Sequence, residues 1–142
     1  AYVSEDQLLA KLHEYPNFML WVAGHRHFNT ITAFPSPDPT QPERGFWQVE
    51  TASLRDFPQQ FRTFEIACNS DGTVSILTTD VDPAVREGTP AAWSRSYGVA
   101  TETLFQNTPP YLPAGVANLE LIKPLSPAMR VKLAPWCAPV SE

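Results

Sequence analysis

Proline sets the first limit on what this chain can fold into. Fifteen prolines are spread over 142 residues, about twice ordinary usage. Each fixes a backbone angle and removes an N–H donor, so the chain must be rich in loops and poor in long helices. The densest stretch, Pro35-Ser36-Pro37-Asp38-Pro39-Thr40-Gln41-Pro42, reads as an exposed loop over 35–44. With 43% hydrophobic and 18% charged residues, what remains suffices for one globular domain, 1–142.

Ten Lys and Arg against fifteen Asp and Glu leave a formal charge of -5. A nucleic-acid surface needs a clustered basic patch, so no nucleic-acid partner is expected. The longest apolar run, Phe18 to Ala23, is far short of the roughly 20 residues that span a bilayer, so no membrane partner is expected. The chain opens at Ala1, which suggests a processed or excised piece. Cys68 and Cys137 show no metal-binding spacing. They form either one long-range disulfide or two inert thiols, and the thiols are the simpler reading.

Local signals place the elements. Ser4 and Gln7 stand in capping-box relation and open a helix over 4–14, with Leu8, Leu9 and Leu12 on one stripe. Phe18–Ala23 has the length and continuity of a strand buried on both faces. Residues 30–34 suggest a short strand. Residues 45–51, 60–67 and 73–79 suggest three more, with Asn69-Ser70-Asp71-Gly72 as a hairpin turn. These three predict one antiparallel sheet in the middle of the chain. A helix over 90–106 is capped by Thr89, with Trp93, Tyr97, Ala100 and Leu104 near one face. A Pro/Gly loop occupies 107–117. Ser126-Pro127 opens a last helix through Leu133, and 134–142 is an irregular tail. The fold class is α+β, mostly antiparallel strands flanked by helices.

The densest chemical signal is Gly24-His25-Arg26-His27 at the end of the apolar strand. On extended backbone His25 and His27 would point to one side, and Gly24 would allow a close approach. Two neutral imidazoles at a strand end suit a transition metal. Asn29 would share their side and orient one of them. Arg26 either touches a substrate phosphate or points away into solvent. Glu50 reads as the solvent face of a strand, Asp80 and Asp82 as a turn before Pro83, and Trp47, Trp93 and Phe57 as core or interface. The rival H-x-H patterns do not fit. A histidine-triad hydrolase needs a third His where Asn29 stands, and G-x-S-x-G is absent.

Gly24-His25-Arg26-His27 resembles the last ligand motif, G-H-x-H, of the calcineurin-like metallophosphoesterases. The likeness extends upstream through Leu8-Leu9 and Leu20–Asn29. Downstream, Gly45–Leu54 and Asp56–Gln60 are similar to a bacterial branch with long inserts between motifs. Asn118–Leu121 and Leu125–Met129 are similar to that branch's C-terminal end. The likeness therefore covers nearly the whole chain.

The resemblance implies a pair of divalent ions (Mn, Fe or Zn), with His25 and His27 as ligands and a phosphate ester as substrate. Gly24, Arg26 and Asn29 would support them. It also implies that the chain is the C-terminal half of a four-layer α/β/β/α sandwich. The family's other ligand motifs, D-x-H, G-D-x-x-D and G-N-H-D/E, are absent from this sequence. The expectation is a C-terminal fragment whose partner is the N-terminal half of the same enzyme. Alone it would hold metal weakly or not at all, hydrolyse little, and dimerise through an exposed sheet face. Export of the whole enzyme is compatible with the prolines and the two cysteines. The alternative is a non-enzymatic β-rich interaction module in which His25 and His27 are incidental.

Overall fold

A computed structural model describes residues 2–57, 59–101, 103–104 and 118–137. The expected loop 107–117 and the tail from 138 onward lie outside them.

The chain opens with α1, Glu5–Leu12, whose capping box is complete. Gln7 N donates to Ser4 Oγ at 3.2 Å, and Ser4 N donates to Gln7 Oε1 at 3.0 Å. Two otherwise orphaned donors are thereby satisfied.

Three strands follow: β1 Leu20–Ala23, β2 Thr30–Phe34 and β3 Phe46–Glu50. Their order is β1-β3-β2. β1 runs parallel to β3 with Ala23 opposite Glu50, and β2 runs antiparallel to β3 with Thr30 opposite the same Glu50. The expectation that Phe18–Ala23 is buried on both faces is corrected. β1 is an edge strand, and Val22 is 52% exposed. The central, covered strand is β3, where Phe46, Val49 and Glu50 are buried. A short 3-10 turn, Pro42–Arg44, also interrupts the loop predicted over 35–44.

The second sheet is antiparallel, in the order β4-β5-β6, from β4 Phe61–Cys68, β5 Thr73–Val81 and β6 Leu119–Pro124. Gly72 turns the β4–β5 hairpin at φ +82, a conformation open to glycine at no steric cost. Asn69 and Asp71 brace the turn through Thr73. The single middle sheet predicted from sequence is therefore divided. The strand over 45–51 belongs with β1 and β2, and its place beside β4 and β5 is taken by β6.

The two sheets share one core. Val49 of β3 clusters with Ile76 of β5 and Leu121 of β6, and Met19, Leu20, Ile31, Trp47, Phe64 and Leu119 pack against them. Fully burying each aliphatic side chain contributes roughly 1.5–3 kcal/mol. Trp47 Nε1 donates to the Ile122 carbonyl at 3.0 Å, stitching β3 to β6. Lys123 reaches from β6 to the carbonyls of Glu43 and Gly45.

The helix α2, Pro90–Thr101, begins where Thr89 Oγ1 accepts from Ala92 N. Its aromatic stripe does not face the core: Trp93 and Tyr97 are 65% and 63% exposed. The helix is buried instead at Gly98. α3, Pro127–Leu133, is capped by Ser126 as expected. Cys68 and Cys137 are bonded, with Cα atoms 5.2 Å apart, which overturns the inert-thiol reading. Among the described residues no helix is long and apolar enough to cross a membrane. Among the described residues the architecture is α+β, with three α-helices and two three-stranded sheets.

Candidate functional site

Strand order determines where the histidines lie. β1 and β2 flank β3, so the segment joining them, residues 24–29, must bridge the carboxyl end of β3. Thr51 N donates to Ala23 O at 3.0 Å just beyond the last strand pair. Gly24-His25-Arg26-His27 thus sits over the carboxyl ends of two parallel strands, where open sheets hold ligands.

Two buried groups pin this bridge from below. Glu50, the last residue of β3, is only 4% exposed. Its carboxylate accepts from Arg26 Nε at 3.0 Å on both oxygens, from Arg26 Nη2, and from Thr30 Oγ1 at 3.4 Å. The reading of Glu50 as a solvent-facing strand residue is therefore corrected, and Arg26 is anchored to it rather than simply solvated. Such charge-assisted, forked pairing fixes geometry as well as adding energy. Asn29, also buried, accepts from Ala52 N at 2.9 Å and donates to Gln60 Oε1 at 2.7 Å. Gln60 in turn donates to Asp82 at 2.8 Å, and Asp82 pairs with Arg95 of α2. The chain of contacts runs from the histidine bridge through Gln60, just before β4, and Asp82, just after β5, to α2. Asn29, expected to orient one of the histidines, instead hydrogen-bonds Ala52 N and Gln60.

The histidines themselves are not on extended backbone. His25 and His27 have φ of 89 and 60, a left-handed region that non-glycine residues rarely occupy and that clusters at functional sites. The alternation argument for their common direction is corrected accordingly. Gly24 would accept a Cβ without meeting any neighbour, so close packing is not what calls for glycine there. His25 is exposed and His27 half-buried. His27 Nδ1 lies 2.9 Å from Asp56 Oδ2. The third imidazole, His13, is buried at the end of α1, its Nδ1 2.9 Å from the Arg44 carbonyl and its ring against Phe46.

The remaining acidic candidates serve the frame. Asp80 pairs with Arg62, whose side chain is fully buried, and Arg62 also donates to Thr78 at 3.0 Å. Burial lowers the Arg62 guanidinium below its ordinary pKa, and Asp80 opposes that shift. The turn-forming role predicted for Asp80 and Asp82 is thus replaced by ion pairing.

Imidazole nitrogens suit Fe or Zn, whereas Mn favours oxygen donors, so the donor type fits two of the three implied metals. The number of donors does not complete a site. Among the described residues no three His, Cys, Asp or Glu side chains come together as a metal cluster. Two grooves lie away from the bridge. One of about 400 Å³ is lined by residues including Phe34, Trp47 and Pro124, and one of about 540 Å³ by residues including Phe64, Leu77 and Asn118. Sequence reasoning missed Glu50 and Asp56. The signal for Glu50 was its place at the end of a strand, two residues after Gln48. No family model, curated protein or solved structure matches the chain.

Proposed function

We propose that this chain is the C-terminal metal-ligand segment of a dinuclear metal-dependent phosphoesterase acting on phosphate mono- or diesters. One observation carries the reading: a G-H-R-H bridge over two parallel strand ends, pinned by Glu50 and Asn29, that presents two imidazoles on strained backbone. His25 and His27 supply two nitrogen donors. A metal pair held there would supply Lewis-acid stabilisation of the ester and activation of a water. Arg26 and Glu50 hold the bridge in register, and Asn29 fixes the loop that follows β3.

The missing ligands and the walls of a substrate site come, in this reading, from the N-terminal half of the same enzyme. Together the halves make the four-layer α/β/β/α sandwich. Exposed apolar strand residues on one face of the second sheet, Phe61 and Ile122, are surface that such a half would cover. Alone, the chain self-associates through them, and a clean monomer in sedimentation would count against that.

The test is hydrolysis of p-nitrophenyl phosphate and its bis ester with Mn²⁺, by the complete gene product and by this chain alone. The complete product turns over and falls to background in His25→Ala and in His27→Ala, while this chain alone stays near background. Turnover indifferent to both histidines, or robust turnover by this chain alone, overturns the reading. Partner binding retained in the double His→Ala variant, with no hydrolysis by any form, would favour an interaction module.

A further inference from the structure

We infer that Asp56 is a positioning residue for His27: it takes the Nδ1–H of that ring and so keeps Nε2 as the lone-pair donor for metal. The inference rests on the metal reading of His27 and extends it to a residue outside the G-H-R-H bridge.

The geometry is set by the loop after β3. Asp56 Oδ2 stands 2.9 Å from His27 Nδ1, within hydrogen-bond reach. The backbone of that loop is held at three points. At its start, Ala52 N is held by Asn29, two residues beyond His27. In its middle, Ser53 Oγ accepts from Arg55 N at 3.0 Å and from Asp56 N at 3.4 Å. At its end, Gln59 N donates to Asp56 O at 2.9 Å, and Ser94 Oγ of α2 donates to Gln59 Oε1 at 2.7 Å. Asn29 therefore ties together the two segments whose side chains meet.

An imidazole with an acceptor at Nδ1 is the recurring arrangement behind a metal-bound histidine. The partner selects the tautomer, aligns the ring and raises its basicity as a ligand. An ionised carboxylate only accepts, so opposite a neutral ring the proton belongs on Nδ1. His13 is the internal comparison. Its Nδ1 also faces an acceptor, but that ring is buried against Phe46 and away from the bridge.

The test uses the metal-free, ¹⁵N-labelled chain at a pH where the rings are neutral. Long-range ¹H–¹⁵N spectra read the tautomer of each histidine, and Zn²⁺ is then added as the probe. His27 is expected as the Nδ1–H tautomer in the wild type and in Asp56→Asn, whose amide oxygen still accepts. In Asp56→Ala the ring shifts toward Nε2–H, and zinc affinity at His27 falls about 10- to 100-fold, with His13 unmoved. Asp56 is more than half exposed, so neither variant threatens the fold, and the backbone amide spectrum verifies this. Wild-type His27 found as Nε2–H, or Asp56→Ala unchanged in both tautomer and zinc affinity, overturns the inference. The expected tautomer shift with no zinc response at either bridge imidazole supports the Asp56 pairing and overturns the metal reading instead.

Discussion

Removing one buried ammonium should change how stability depends on pH. Lys123 is 1% exposed, and its Nζ donates to the carbonyls of Glu43 and Gly45, the latter at 2.6 Å. Burial pushes its pKa down from 10.5 to about 8, with the Glu43 carboxylate working the other way. The folded state therefore holds this proton less tightly than the unfolded chain. Between about pH 8 and 10.5 the unfolded chain binds more protons, so stability rises with pH across that window. The gap of about 2.5 units, at ~1.36 kcal/mol per unit, amounts to about 3 kcal/mol. Below pH 8 the full cost of the buried charge is present.

Lys123→Met removes that term. It also leaves two carbonyls without their donor, a cost of about 1–3 kcal/mol that does not vary with pH. Urea unfolding followed by circular dichroism at pH 7.5, 9 and 10.5 reads both effects. Other lysines and tyrosines titrate in both proteins and cancel in the difference. Wild type should gain about 3 kcal/mol on the variant from pH 7.5 to 10.5. A difference that stays flat with pH would refute the claim that Lys123 carries a buried charge.

Two further predictions concern the frame. Arg62→Ala should destabilise by about 3–5 kcal/mol, because it strips the guanidinium from the buried Asp80 carboxylate; a loss below 1 kcal/mol in urea unfolding would show that the pair is solvated. Reducing the Cys68–Cys137 bond, which closes a separation of 69 residues, should cost about 4 kcal/mol on loop-entropy grounds; a melting temperature unmoved by reductant would contradict the bond.

Features governed by neighbouring residues were legible in the sequence. Ser4 with Gln7, Ser126 with Pro127, and Asn69 through Gly72 each act within four residues, so their helix starts and hairpin could be read directly. Placement between sheets was not legible. Phe46–Glu50 alternates like its neighbours in sequence, yet it pairs with strands 16 and 26 positions upstream, counted from Thr30 and Leu20 to Phe46. Charged residues misled for a related reason. Glu50, Arg62 and Lys123 look like solvent-facing strand positions, and only the fold supplies the partners that let them be buried. At the candidate site, the histidines and Asn29 were visible as residues. Their left-handed backbone was not, because no glycine marks His25 or His27. Asp56 was hidden because its link to His27 spans 29 positions of chain.

The most direct measurement follows the three imidazoles of this chain, carried in the complete gene product, as Mn²⁺ is added. Paramagnetic broadening should erase the ring signals of His25 and His27 at low metal, while His13, buried beside Phe46 and the Arg44 carbonyl, persists. The effect should vanish from the remaining ring when either bridge histidine is replaced by Ala. If all three rings broaden together, or if His25 and His27 are untouched at metal levels that broaden surface carboxylates, the bridge does not bind metal and the phosphoesterase account fails.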